Sequence, residues 1–438
     1  MKKIIFILAV ALAVFGMQSC SLHEDTDLFG QSAAERMDAA IAHDKKLLES
    51  ATNGWKLVYY TGEEYTGGGY TYLCKFKNGN AIVAGDMSDG YQEAKSSYDV
   101  ISDQGAVLTF DTYNELMHKF ATPTSSSIDG EQGDYEFVIQ KVTNDSIYLT
   151  GKKWGNKMVM TRMPENLSWE EHLDSINKVA KDIRYNNKVM NGTDSIGYIS
   201  LDDYTRRAVL TAGNDKADVP YYVTSKGIHF QSPITVNGEE ISEMDYDEKT
   251  QHFSIMGGNA ASNLSVAGYY PPHYQLIDFF EGTWTLDCYA AGSNYEQTST
   301  LQQYRIEFTY YSPIYLKGKI NVDGLSFDLY FRYYRDNGSI SLVQQYADDP
   351  TGEYSYANVA PVSFAAGGRF NWTGDLLGYY HEDTHQVEFS WNKIGAAAID
   401  SYVFLATNAA GSPVYNSDGQ LISLAQLTYI TSMKRVNN

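Results

Sequence analysis

Gly69-Tyr-Thr-Tyr-Leu-Cys-Lys-Phe76, the turn Asn78-Gly79, and Asn80-Ala-Ile-Val-Ala84 together decide the fold class. Aromatic and β-branched runs suit a pleated, half-buried surface, and Asn-Gly supplies the positive φ angles that a tight hairpin turn requires. The pair therefore reads as strand, turn, strand. Working outward, the same texture runs from Trp55 to Met163, with further strands expected at Trp55–Tyr60, Ser97–Ile101, Val107–Phe110, Tyr135–Ile139, Ile147–Leu149 and Met158–Met160. Turn signals at Asp89-Gly90 and Asn144-Asp145 separate them. Seven or eight short antiparallel strands imply a small barrel or a sandwich. The composition agrees, with 36 Tyr and 36 Gly against 10 Pro, as many aromatic strands punctuated by glycine turns require.

Two short α-helices interrupt this mainly β chain. Ser32-Ala-Ala-Glu35 and Ser168-Trp-Glu-Glu171 are capping boxes, in which the Ser oxygen accepts an amide of the first turn and the Glu reaches back. The first helix is expected to stop at Asn53-Gly54, and the second, with Leu173, Ile176, Val179, Ala180 and Ile183 on one face, at Asn191-Gly192. Strands are expected again at 195–199, 207–210, 221–223, 228–230, 234–236, 241–246 and 251–255, followed by a linker from Gly257-Gly258 to Pro271-Pro272. The resulting plan is 1–19 leader, 20–30 tether, 31–163 helix and first β-domain, 164–270 helix and middle β-region, and 271–438 last β-domain.

The last region echoes the first. Gly54-Trp55 parallels Gly282-Thr-Trp284, Tyr135-Glu-Phe137 parallels Tyr304-Arg-Ile306, and Ile147-Tyr-Leu-Thr-Gly-Lys152 parallels Ile314-Tyr-Leu-Lys-Gly-Lys319. Unequal spacing excludes a fixed-period repeat and leaves two related β-domains as the expectation. The Gly-x-Trp opening also resembles lipocalin-like barrels, in which such a Trp closes one end.

At the start of the chain, Lys2-Lys3 precede an apolar run from Ile4 to Met17 that ends in Gln18-Ser19-Cys20. This is a charged, then apolar, then small-residue leader, too short to span a bilayer. Met17-Gln18-Ser19-Cys20 resembles the lipobox of bacterial lipoproteins, which implies a lipid on Cys20 and attachment to the membrane through acyl chains. Glu24, Asp25 and Asp27 resemble the acidic signal that sends such lipoproteins to the cell surface. Cleavage before Cys20 removes Lys2 and Lys3 and takes the formal charge from −21 to −23. That balance excludes a nucleic-acid surface or a basic patch for anionic headgroups. Cys74 and Cys288 remain, both in strand contexts, and read as buried free thiols.

Residues 31–163 resemble a family of Bacteroidetes lipoproteins classed as a domain of unknown function, number 4302. The segments that carry the resemblance are Ala51-Thr-Asn-Gly-Trp-Lys56, Gly68-Gly-Tyr70, Val107 to His118, Gly133-Asp-Tyr-Glu-Phe137 and Leu149-Thr-Gly-Lys152. It implies an accessory, ligand-binding role beside an outer-membrane nutrient transporter, and it brings no catalytic residues.

His381-Glu382-Asp383-Thr384-His385 fits the zinc-peptidase pattern, whose histidines share a face only on a helix. The flanks Gly378-Tyr-Tyr380 and Val387-Glu-Phe-Ser-Trp391 alternate as strands, so a hairpin turn is expected, and a zinc-dependent hydrolase is the alternative. Paired acids at Asp202-Asp203, Asp348-Asp349 and Asp245-Tyr-Asp247-Glu248 read as solvated turns in so acidic a chain. No catalytic set, cofactor or metal site is expected. Trp154 in Gly151-Lys-Lys-Trp-Gly155 and Trp372 in Arg369-Phe-Asn-Trp-Thr-Gly374 are the ligand-binding candidates; Trp391 is expected in the core. The sequence points to a lipid-anchored, surface-exposed outer-membrane protein that binds a glycan or another small ligand. A structural or adhesive surface protein is a further alternative.

Overall fold

The computed structural model describes residues 32–436, except 89, 125–126, 257–262, 373 and 392–397. The leader, Cys20 and the tether lie outside the described residues, as does Gly257-Gly258. The chain divides into two compact units, Met1–Asn177 and Lys178–Asn438.

In the first unit, α1 (Ala33–Glu49) starts on the expected capping box: Ser32 Oγ accepts from Glu35 N at 3.2 Å, and the Glu35 carboxylate accepts from Ser32 N at 2.8 Å. The chain then turns at Gly54, whose φ of 77° suits glycine, into a nine-stranded antiparallel sheet. Its strands are β1 (Trp55–Tyr60), β2 (Gly69–Lys77), β3 (Asn80–Gly85), β4 (Ala94–Ser97), β5 (Asp99–Ser102), β6 (Ala106–Thr109), β7 (Glu136–Val142), β8 (Ser146–Gly151) and β9 (Lys157–Arg162). The order β4-β3-β2-β1-β9-β8-β7-β6-β5 puts β4 and β5 at opposite edges, yet Tyr98 alone separates them in the chain. One bent strand therefore joins both edges, and the sheet curls into a barrel. The loop from Phe110 to Asp134 plugs it with Leu116, Met117 and Phe120, all buried against Tyr59, Tyr70 and Tyr72.

Trp55, at the start of β1, is fully buried, and its indole N–H donates to Leu48 O at 2.9 Å. Directly opposite, Arg162 at the end of β9 lays its guanidinium 4.6 Å from the Trp55 ring centroid. Such cation–π contacts add about 0.5–2 kcal/mol to a side chain that already buries much apolar surface.

α2 (Trp169–Asp182) begins the passage to the second unit, with Ser168 Oγ accepting from Glu171 N at 3.3 Å. It is shorter than expected. Asn186–Asn191 is strand β10, and Asn191-Gly192 is a hairpin turn with Gly192 at φ 61°, not a helix stop. The alternating burial of Asn187 and Val189 in β10 is a two-residue period that the helical reading of 168–191 overlooked. β10 opens a closed eight-stranded barrel completed by β11 (Asp194–Asp202), β12 (Arg207–Ala212), β13 (Asp215–Val223), β14 (Gly227–Val236), β15 (Glu239–Asp247), β16 (His252–Met256) and β17 (Leu264–Gly268). The separate strands expected at 228–230 and 234–236 form one strand with a register break between His229 and Ile234. β17 lies in the expected linker, where Leu264 and Val266 are buried and pair the strand to β10.

A second closed eight-stranded barrel follows: β18 (Gly282–Ala291), β19 (Gln297–Ser312), β20 (Tyr315–Val322), β21 (Leu325–Tyr334), β22 (Ser339–Leu342), β26 (Leu376–His381), β27 (Gln386–Trp391) and β30 (Ile430–Arg435). Strands β23 (Gln345–Asp348), β24 (Tyr356–Ser363), β25 (Arg369–Phe370), β28 (Ser401–Thr407) and β29 (Ser423–Leu427) form a five-stranded sheet from the two long excursions of the chain. One face of that sheet shares the barrel core, with Phe404 and Phe327 rings 4.5 Å apart. Here Trp284 is buried, donates to Phe280 O at 2.7 Å, and is covered by Arg435 at 5.0 Å from the residue directly opposite in β30. Between the two barrels of this unit, Arg335 pairs with Asp202 at 3.4 Å and more closely with Asp203. These acids are thus not solvated turns. The long echo Ile147–Lys152 and Ile314–Lys319 falls on non-equivalent strands, the next-to-last of one sheet and the third of the other barrel. The Gly-Trp openings do correspond.

Candidate functional site

At the rim of the first barrel, the β8–β9 turn is set by a buried carboxylate. Asp134 is 3% exposed and accepts the backbone N–H groups of Lys153 at 2.7 Å and Trp154 at 3.3 Å. Burial raises its pKa above the ordinary carboxylate value, and the two amide donors pull the other way. Gly151 makes room for it: a Cβ there would lie 2.0 Å from Asp134 Oδ2. Tyr59 reinforces the same point from the barrel interior by donating to Asp134 O at 2.9 Å.

Trp154 is thereby held, half-buried, on an open cavity of ≈ 480 Å³. Lys153 Nζ stands 4.6 Å from the Trp154 ring centroid and 2.6 Å from Asp129. Lys152 bridges Asp103 at 2.8 Å and Glu136 at 3.1 Å, hydrogen bonds that hold its pKa above the usual lysine value. Tyr135, 39% exposed, and Ile128, 84% exposed, complete the apolar part. One face of Tyr135 is stacked on His118 at 4.4 Å, and Tyr113 lies 5.2 Å beyond. His118 Nδ1 sits 3.1 Å from both the N and the O of Asn114, and burial lowers the ring's pKa, favouring the neutral imidazole. The arrangement offers an aromatic platform, an apolar wall and paired charges around the rim. Those are the elements of a small-molecule or saccharide site.

Trp372 stands elsewhere, in the second unit, half exposed and stacked on Phe370 at 5.3 Å with planes 8° apart. Phe370 packs on the outer cluster of Val362, Phe364 and Tyr429. The hairpin beneath is set by a second buried carboxylate, Asp400, which accepts from Phe364 N at 2.9 Å and Ala365 N at 3.0 Å. The side chain of Trp391 is outside what the structure describes; its backbone pairs with Leu376.

The His381–His385 stretch joins β26 to β27 as a hairpin, with His381 opposite Gln386. His385 Nδ1 meets the Tyr380 hydroxyl at 3.2 Å, and the His381 ring lies 4.4 Å from His273. The helical face that the zinc motif needs is not formed. Among the described residues no three His, Cys, Asp or Glu side chains are grouped to hold a metal ion. Cys74 and Cys288 are buried free thiols with pKa values driven upward by burial. Sequence reasoning missed Asp134, Asp400 and Ile128. A lone Ile amid Ser125-Ser-Ser-Ile-Asp-Gly130 was the available signal for the last; a buried Asp before a strand leaves none.

The architecture defines an antiparallel β-barrel protein in which the first and last strands of each barrel pair. The chain belongs to the family described as a domain of unknown function (DUF4302), which matches residues 25–248. That match ends just after β15, leaving β16 and β17, the strands that complete the middle barrel, outside it. No curated protein matches the chain. Among solved structures, a mutant of the vaccine antigen transferrin-binding protein B from Haemophilus parasuis is similar at 9% identity, over 84% of this chain and 66% of that one, with a TM-score of 0.16. The chain thus spans just under two thirds of that protein.

Proposed function

We propose that this protein is a lipid-anchored, non-enzymatic protein of the cell envelope that binds a glycan or another nutrient in the Trp154 cavity. On this reading Cys20 carries the lipid, the acidic tether holds the barrels out from an outer membrane, and the ligand is handed to an uptake system. The observation that carries the binding role is the fixing of Trp154 by Asp134 beside Tyr135 over a cavity of ≈ 480 Å³. A turn backbone fixed in this way leaves less conformational freedom to be lost on binding, and the flat face of the Trp154 ring suits the C–H face of a sugar. Lys153 and Asp129 stand where hydroxyls would accept and donate.

The test is a glycan array probed with the full chain and its Trp154→Ala and Trp372→Ala variants. Binding that falls about tenfold or more in Trp154→Ala, roughly 1.4 kcal/mol, supports the site. Equal binding by all three proteins removes it. Lipidation is read separately, by fatty-acid labelling that is lost in Cys20→Ser.

A further inference from the structure

β29 is an end strand of the five-stranded sheet, with β28 on one side and no strand on the other among the described residues. Ser423, Leu424, Ala425, Gln426 and Thr428 line a cleft of ≈ 280 Å³. Successive strand residues point to opposite faces, so a cleft touched by four in a row meets the strand along its backbone edge. On the opposite wall are Ala290 and Ala291 of β18 and Gln302 and Tyr304 of β19. β19 is itself incomplete on one side: its pairing with β20 begins at Ile306, so Gln297–Arg305 has β18 alone as a neighbour among the described residues. The cleft is thus a slot with a free strand edge beside it and an uncovered stretch of β19 across it.

Edge strands ordinarily carry lysines, prolines or inward charges that discourage further pairing. Here Ser423–Leu427 contains no charged residue and no proline, and the uncovered stretch Gln297–Arg305 carries a single charge, Arg305 at its end, in a chain with 54 acidic and 33 basic residues. The charged residue at the cleft is Asp323, in the β20–β21 turn. We propose that this slot receives an extended peptide strand of a partner protein. The strand adds to β29 by backbone hydrogen bonds, sets small or apolar side chains against Ala290 and Ala291, and places one Lys or Arg at Asp323. Charge selects this occupant: the walls offer no other ionic partner, and an acidic or polyanionic segment would meet Asp323 and a net charge of −21. This surface is distinct from the Trp154 cavity and does not depend on it.

The test uses the full chain and a fluorescent hexapeptide, Lys-Thr-Val-Thr-Val-Thr amide, followed by anisotropy. Two control peptides replace the Lys by Glu or carry N-methyl groups on alternate residues. Saturable binding is expected, weakened at least tenfold by N-methylation and by the edge charge of Gln426→Lys, and three- to tenfold by the Glu peptide and by Asp323→Asn. Asn tolerates the positive φ at this position, 53°, so the fold is kept, and circular dichroism checks both variants. Equal binding of the N-methylated peptide overturns the proposal, as does absence of saturation up to millimolar peptide. Sedimentation showing a dimer that Gln426→Lys converts to monomer also overturns it, because the edge is then filled by a second copy.

Discussion

The first barrel and the last barrel carry the same clasp between their first and last strands and are completed in different ways. In each, a Trp near the start of the first strand donates its indole N–H to a carbonyl of the helical turn just before it, Leu48 or Phe280. In each, the residue directly opposite in the final strand is an Arg that covers the ring. The middle barrel exchanges the parts: Arg184, before its first strand, lies 4.1 Å from the ring of Tyr270, after its last. Away from the clasp the likeness ends. The first barrel joins its edges through one bent strand at Tyr98 and is plugged by a loop, whereas the last gives up two excursions to a separate sheet that packs against its core. The clasp is thus a local device, indifferent to how much chain intervenes.

The largest test of this comparison removes the indoles. Trp55→Ala and Trp284→Ala should each cost about 3–5 kcal/mol, seen by hydrogen exchange across a denaturant series as lost protection in 32–177 for the first and in 178–436 for the second. If either variant leaves its own unit's protection unchanged, the clasp is not what holds that barrel's first and last strands together. Next come the turn-setting carboxylates. Asp134→Ala and Asp400→Ala each strand two amides and should lose about 1–3 kcal/mol in thermal melts, and Asp134→Ala should also weaken any ligand that depends on Trp154. Smaller again are Arg162→Met and Arg435→Met, at about 0.5–2 kcal/mol. Both arginines also hydrogen-bond to backbone carbonyls, Arg162 to Asn144 O and Arg435 to Phe279 O, and Arg162 adds Ser50 Oγ at 2.9 Å, so Arg162→Met should be the costlier by a few tenths of a kcal/mol; the reverse order would show that the second ring under Arg435, Phe279 at 5.4 Å, outweighs that bond.

The smallest effect is a change of slope with pH. Burial holds the pKa of folded His118 below its unfolded value of roughly 6.5. Its neutral form therefore supports full stability above about 6.5, and stability is lost as pH falls through that value toward the lowered one. His118→Phe keeps the stack on Tyr135 and should flatten stability against pH in that window. An unaltered slope would mean that another group governs it.

Much of the strand pattern was legible because hairpin turns are written locally: Asn78-Gly79 separates β2 from β3 as read. The same local cue misled at Asn191-Gly192, since an Asn-Gly pair ends helices and turns hairpins alike, and only the register of β10 against β11 and β17 resolves it. Leu264–Gly268 looked like linker because a five-residue strand paired on both sides needs no strong propensity of its own. The glycine-flanked turn singled out Trp154, and the structure sets that residue on a cavity. The residue that positions Trp154 was not legible, because Asp134 reaches it across 20 positions of sequence. Asp202 and Asp203 were misread for the same reason, their partner Arg335 being 133 positions from Asp202.

The bent strand has a mechanical side. Tyr98, where the two edges of the first sheet meet, donates its hydroxyl to Glu49 at the end of α1 at 2.8 Å, and Asp99 pairs with Lys45 one turn earlier. α1 is therefore stapled to the seam by one hydrogen bond and one ion pair, so the helix that precedes the barrel also braces the single place, among the described residues, where its wall has no hydrogen-bonded strand pair.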